Sequence, residues 1–358
     1  MLKILDKYII KKFLSTFFFM LGIIMLLSMV FDMSDRLGDF IERQAPVSEI
    51  FTRYYFTFIL YYGNTFSSMI IFISVIWFTA KMASDTEIIP ILNSGKPFNR
   101  FLRPYMIAAT FLMLISLVMN HYILPRANKV RLDFDNQYYR AGLHVEDYYA
   151  EFPGNVSVNF STYVSEDNIA NDFTLQVTNK DDEVKYFLKA RGAQNVLGTN
   201  KWKLFDYYER KVNGLNEEII NGKEKDTVFN FRIDDMAHRE NIAEIMNYTE
   251  LKEFIRKEKE KGASNVPSYE LELYRRSSLP FATYILTIIG VSVSSRKKRG
   301  GVGINIALGL GIIFVYIFTM KIMDVAAVNV GFSPIIAVWI PNILFGAVAY
   351  VLYRYAPK

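Results

Sequence analysis

The chain has no cysteine and only three histidines among its 358 residues. The first absence removes thiolate nucleophiles, thiolate zinc sites, iron–sulfur ligation and any disulfide scaffold. The histidines, His121, His144 and His238, lie far apart without i, i+3 or i+4 spacing, so no metal site is expected and no cofactor is implied. The chain also lacks G-x-x-x-x-G-K-[ST]; Gly95-Lys96-Pro97 and Gly222-Lys223-Glu224 miss the upstream glycine and the hydroxyl residue. No serine stands in a G-x-S-x-G elbow, and the carboxylate pairs Asp181-Asp182 and Asp234-Asp235 sit in polar, turn-like stretches. The reading is of a chain that is not an enzyme and that leaves any ATP hydrolysis to another subunit.

Charge is missing in long blocks as well. Phe13–Phe31, Tyr54–Ala80 and Tyr105–Leu124 carry no Asp, Glu, Lys or Arg, nor do Ser277–Ser295, Val302–Met320 and Pro334–Tyr353. A hydrocarbon core of about 30 Å takes about 20 apolar helical residues. The fold expected is therefore an α-helical membrane protein with six transmembrane helices, three before and three after a large insert. Tyr54–Ala80 exceeds one span and is expected to tilt. Leu2–Phe13 alternates apolar residues with lysines and reads as a short interfacial helix leading into the first span. That span is read as retained, because Val30-Phe31-Asp32-Met33 offers no small-residue cleavage pair. Apart from His121 near the end of the third span, the span cores offer only Asn64, Asn120, Asn305 and Asn342 as strongly polar groups, which argues against an ion-coupled carrier.

The short flanks orient the chain. With the N-terminus inside, Lys3, Lys7, Lys11, Lys12, Lys81, Lys96, Arg100, Arg103, Arg296, Lys297, Lys298, Arg299, Arg354 and Lys358 all face the cytoplasm. The short outside segments hold only Arg36, Arg43, Arg53 and Lys321. Both termini are thus expected in the cytoplasm and the insert outside it. Residues 126–276 carry a net charge of −4 and the membrane part +9, so the overall +5 reports membrane topology rather than nucleic-acid binding.

Within the insert, Asn155–Val164, Phe173–Thr178, Val184–Arg191, Trp202–Arg210 and Thr227–Ile233 alternate with period two. Asn179-Lys180-Asp181-Asp182, Gly198-Thr199-Asn200 and Asn213-Gly214 separate them as turns, which predicts an antiparallel sandwich or barrel. Tyr248–Lys261 follows as a helix stopped by Gly262. The domain boundaries read from this are 1–125, 126–265 and 266–358.

Three features point to chemistry or contact. In the loop 82–95, Ser84-Asp85-Thr86-Glu87 has the form of a capping box, with Pro90 a possible kink; it is either an ordinary loop helix or one on which a partner docks through Glu87. Arg36, Arg43, Arg53, Arg275, Arg276 and Lys321 fall at the outer membrane edge, where cations pair with lipid phosphates or simply anchor the helices. Arg36 sits among Asp32, Asp35 and Asp39, which are equally available as its partners. Gly303, Ala307 and Gly311 place small residues on one helix face, suited to close helix packing.

The run Tyr274-Arg275-Arg276-Ser277-Ser278-Leu279-Pro280-Phe281-Ala282 continues to Leu286-Thr287-Ile288-Ile289-Gly290 and Arg299-Gly300-Gly301. Phe314-Val315-Tyr316 and Ala337-Val338-Trp339-Ile340-Pro341-Asn342 come later, and Asn120…Pro125, Lys189-Ala190-Arg191 and Trp202-Lys203-Leu204 earlier. Together they resemble the LptF/LptG permeases, membrane subunits of the lipopolysaccharide-export ABC transporter of Gram-negative bacteria. The resemblance implies an extracytoplasmic β-jellyroll-like insert and a heterodimer with a second permease in the inner membrane. It also implies a cytoplasmic ABC ATPase dimer and a periplasmic β-jellyroll bridge protein as partners. Lipopolysaccharide would be taken sideways from the outer leaflet and passed to that bridge. By the same resemblance Ser84–Gly95 is the coupling helix, with Ser84 and Glu87 meeting the ATPase, and Arg36 lies where the family faces lipid A phosphates. Pro90 departs from the smooth helix expected there. A permease for another lipid or lipoprotein is the alternative, and a membrane sensor with a β domain a more distant one.

Overall fold

The computed structural model describes residues 3–93, 95, 97–138, 144–152, 154–164, 168–179, 183–196, 199–213, 216–229, 231, 242–260, 263, 265–296 and 301–356. The expected turn residues Lys180–Asp182, Gly198 and Gly214, the pair Asp234-Asp235, His238, the stop Gly262 and the basic run Lys297–Arg299 lie outside them. The chain divides into two compact units, residues 1–132 with 244–248 and 267–358, and residues 133–243 with 249–266.

Six helices of the first unit are long and apolar enough to cross a membrane. The first, α1 (Ile4–Glu42), is one continuous helix, about 58 Å long at 1.5 Å per residue. The interfacial segment expected before the span is simply its first turns. Nothing in Leu5–Phe13 breaks a helix, and the Lys3 amide donates to the Asp6 carboxylate at 2.8 Å, closing the start. After α2 (Val47–Glu49) and a π-helical turn (Ile50–Tyr55) come α3 (Phe56–Thr65) and α4 (Ser67–Ser84). The long apolar run thus breaks at Phe66, whose backbone leaves the helical region, rather than crossing as one tilted rod. A short α5 (Ile88–Asn93) leads to α6 (Phe98–Val118), a π-helical segment (Met119–Ile123) and α7 (Leu124–Tyr138).

Helix α4 is the centre of the membrane unit. Thirteen of its 18 residues are buried, the pattern of a helix surrounded by others. One side packs Ile71, Val75, Phe78 and Met82 against the i, i+4, i+8 stripe Ile9, Phe13 and Phe17 of α1 and against Phe101 and Tyr105 of α6. The opposite side packs Phe72 and Ile76 against the three helices that follow the insert: α10 (Val266–Ser294), α11 (Gly301–Asn329) and α12 (Pro334–Arg354). Gly309 of α11 is what admits Ile76: a Cβ there would lie 2.3 Å from the Ile76 Cδ1.

Three of the four intramembrane asparagines are straps between helices. Asn64 donates to the Asn120 side-chain oxygen at 2.7 Å, and Asn120 donates on to the Arg276 carbonyl at 3.2 Å. Asn342 accepts from the Tyr316 hydroxyl and donates to the Ser278 carbonyl, each at 3.0 Å, tying α10, α11 and α12 together. With no water in the core to compete, such bonds choose helix partners and register.

The second unit holds one six-stranded antiparallel sheet in the order β1 (His144–Phe152), β2 (Val156–Val164), β3 (Ile169–Thr178), β4 (Val184–Asn195), β5 (Lys201–Asn213) and β6 (Asn216–Val228). The ladders skip a row formed by Ser161, Asp172, Arg191, Asp206 and Lys223. Asp172 and Asp206 take φ of 52° and 47° there, a conformation Asp adopts more readily than most residues. Across that row the buried positions change phase, from Phe160 to Tyr163, Ala170 to Phe173 and Ala190 to Ala193. The sheet is creased, and the strands turn opposite side-chain parities to one core on either side of the crease. That core is aromatic: Trp202 lies 5.6 Å from Phe173 and 5.7 Å from Phe231, and Phe229 stacks on Phe231 at 5.1 Å. Two short helices, α8 (Ile242–Ile245) and α9 (Tyr248–Glu260), lie between the sheet and α10 in the chain.

Candidate functional site

Four of the six sequence-identified cations are already engaged. The Arg36 Nε donates to Asp32 Oδ1 at 3.1 Å, and its guanidinium lies 5.0 Å from the Tyr54 ring centroid. Asp32 is the hub: the hydroxyls of Tyr54 and Tyr55 donate to it at 3.0 and 3.2 Å. Arg53 pairs with Glu49 at 2.7 Å one helical turn earlier. Arg275 reaches from α10 to Asp324 of α11 at 2.7 Å. Arg276 is 4 % exposed; it pairs with Glu272 and donates to the Met246 carbonyl at 2.8 Å, so it is a brace. Arg43, at the C-terminal end of α1, and the exposed Lys321 of α11 have no ion pair among the described residues.

A seventh cation escaped the sequence reading. Arg131 of α7 lies 4.6 Å from the Tyr61 ring centroid and 3.8 Å from Glu244 of α8, whose carboxylate also accepts from the Tyr61 hydroxyl at 3.2 Å. Burial, and the neighbouring Glu272, push the Glu244 carboxyl above the ordinary range despite Arg131. These residues are distant in sequence, and no periodicity joins them.

On α11 the small-residue face Gly303, Ala307 and Gly311 is exposed, with open space beside both glycines. The face that packs inside this chain is the adjacent one, Asn305, Gly309, Ile313 and Tyr316.

The loop between α4 and α6 is built differently from a capping box. Ser84 is the last residue of α4 and caps no following helix. The Thr86 amide donates to the Ala83 carbonyl at 3.2 Å and the Glu87 amide to the Met82 carbonyl at 2.9 Å, the paired bonds of a Schellman C-terminus. Its left-handed position is filled by Thr86, φ 60°, rather than by glycine, a strain of roughly 1–3 kcal/mol for a β-branched residue. The Glu87 side chain is thereby freed from its own backbone. It accepts from the Tyr8 hydroxyl at 3.0 Å and pairs with Lys12 at 3.7 Å, both on α1. Pro90 falls in the first turn of α5, where an amide has no helical acceptor, so it starts this helix rather than kinking it. Beyond α5, Arg100 of α6 grips Asp6 of α1 with two bonds of 2.6 and 2.7 Å.

A comparison with the curated proteins gives no match. The sequence profile described as lipopolysaccharide export system permease LptF/LptG matches residues 7–355, through both membrane halves and the inserted sheet. Six apolar helices divided three and three, a β domain between them and this match along nearly its whole length place the chain in the LptF/LptG family of lipopolysaccharide export permeases.

Proposed function

We propose that the chain is one permease of an ABC transporter that lifts lipopolysaccharide from the outer leaflet of the inner membrane and hands it to a periplasmic β-jellyroll bridge. The observation that carries this reading is the family match over residues 7–355, which covers both membrane halves and the inserted sheet. The second permease packs against the exposed Gly303–Ala307–Gly311 face of α11, where backbones approach closely. The ATPase docks on the loop around α5, with Ser84 at its edge and Glu87 as its anionic contact. Both termini lie in the cytoplasm, as the lysine and arginine bias requires, and the sheet lies in the periplasm.

The lipid is an amphiphile with several acyl chains and a phosphorylated head. Arg43 and Lys321 meet its phosphates first, since neither has a carboxylate to leave among the described residues. Arg36 and Arg275 follow by exchanging Asp32 and Asp324 for a phosphate, whereas Arg53 trades Glu49 and Arg276 supports the site from within. Charge-assisted bonds to phosphate are stronger than neutral ones, which favours that exchange once water is excluded. The apolar inner face of the creased sheet then shelters acyl chains from water.

The test is ATP-driven release of lipopolysaccharide from vesicles holding the reconstituted complex. Arg43→Glu and Lys321→Glu slow release while leaving the complex assembled. Unchanged release in both, with lipid levels matched, removes the phosphate-pairing role. Glu87→Arg lowers the amount of ATPase that co-purifies, and an undiminished yield removes the docking role.

A further inference from the structure

Two clamps hold the loop between α4 and α6 to the opening turns of α1, one on each side of α5. On the far side, Arg100 and the buried Asp6 form a bidentate pair. On the near side, Lys12 bonds the Tyr8 hydroxyl at 2.7 Å, that hydroxyl bonds Glu87 at 3.0 Å, and the Lys12 ammonium lies 3.7 Å from the same carboxylate. Tyr8 and Lys12 are four residues apart, so one helix face presents both to one acid. The two clamps differ in access to water. Asp6 is 2 % exposed, whereas the Lys12 and Glu87 side chains are 28 % and 36 % exposed. A third cation can therefore reach Glu87 but not Asp6. Thr86, immediately before Glu87, is held at φ 60°, a conformation that costs a β-branched residue energy.

We propose that Tyr8 and Lys12 are positioning residues for Glu87, holding its carboxylate against α1 until a basic side chain of the ATPase takes the place of Lys12. The proposal rests on the reading of Glu87 as the ATPase contact. Its consequence is that docking on the loop releases the α5 side of α1 while Asp6–Arg100 keeps the helix start in place. The ATPase then acts on a transmembrane helix without touching it.

The experiment has two parts, which separate the latch from the partner reading. The chain has no native cysteine, so spin labels at Lys11→Cys and Ile89→Cys, both exposed, report the α1-to-α5 distance without background. In reconstituted full-length chain without ATPase, one narrow distance population is expected. Lys12→Gln broadens it, Tyr8→Phe broadens it less, and Lys12→Arg leaves it narrow. A distribution as narrow with Lys12→Gln as without it overturns the latch. In the second part, Lys12→Gln tightens ATPase binding about two- to fivefold, the range for a half-exposed ion pair removed from competition. The gain vanishes when Glu87→Gln is already present. Weaker binding with Lys12→Gln, or an equal gain in both backgrounds, overturns the displacement. Binding indifferent to Glu87→Gln overturns the reading of Glu87 as the ATPase contact, and the label result then decides the latch alone.

Discussion

Removing the Arg100 guanidinium should destabilise the membrane unit more than removing the Asp6 carboxylate, although both break the same pair. The two bonds of 2.6 and 2.7 Å are parallel and charge-assisted. Asp6 is 2 % exposed with Arg100 in place, and Arg100→Ala leaves its carboxylate the Lys3 amide as donor. Leaving a charge buried and unpaired costs about 3 kcal/mol, near the low end for such pairs because one donor remains. Asp6→Ala instead leaves a guanidinium whose side chain is 25 % exposed and can turn to water, so the loss is smaller. Asp6→Leu with Arg100→Met, which takes both charges away, should return to within about 1 kcal/mol of the parent. The assay is reversible unfolding in mixed detergent, followed by near-ultraviolet circular dichroism, with all four chains in one double-mutant cycle. An Arg100→Ala loss below about 0.5 kcal/mol, or an Asp6→Ala loss larger than that of Arg100→Ala, would refute the reasoning.

Gly222 faces Tyr207 across the β5–β6 ladder, and a Cβ there would stand 2.5 Å from the ring. The atoms met are the far end of the half-exposed ring, which can swing aside, so Gly222→Ala should cost no more than about 1 kcal/mol in the β domain, and Tyr207→Ala in the same chain should recover it; equal losses in both backgrounds would contradict the contact. Glu244 has its carboxyl raised by burial and by Glu272, so the folded chain binds the proton more tightly than the unfolded one. Its contribution to stability is full below the ordinary glutamate range and is lost as pH rises through the raised value. As pH rises above the ordinary glutamate range, the unfolding temperature should therefore fall more steeply than in Glu244→Gln, and parallel profiles would count against it.

The membrane half was legible because lipid imposes a crude rule: charge-free runs long enough to span. Its refinements were not. The break at Phe66 has no proline to announce it, and the continuity of α1 through the lysine-rich start follows from the absence of any breaker. In the insert, β2 to β5 alternate visibly, whereas β6 reads Asn-Glu-Glu-Ile-Ile-Asn-Gly-Lys-Glu-Lys and is mostly exposed. It is held by its pairing with β5, and charge along an edge strand is what keeps further strands away. The crease hid the core as well, since a phase change in each strand mixes the two periodic sets. Ser84-Asp85-Thr86-Glu87 satisfies the capping-box pattern, but a helix ends there instead of beginning, and a C-terminal motif takes the same amides. The cations were visible as residues, but their engagement was not: Asp324 opposite Arg275, and Glu244 beside Arg131, come from elsewhere in the chain.

The measurement that bears most directly on the account is gentle purification of the tagged chain from its native membrane, with mass spectrometry of what accompanies it. The account predicts a soluble ATPase carrying a phosphate-binding loop, a second permease of similar length and bound lipopolysaccharide. Recovery with an ATPase and a lipoprotein would replace the substrate. Recovery of the chain alone across several detergents, with neither ATPase nor lipid, would contradict it.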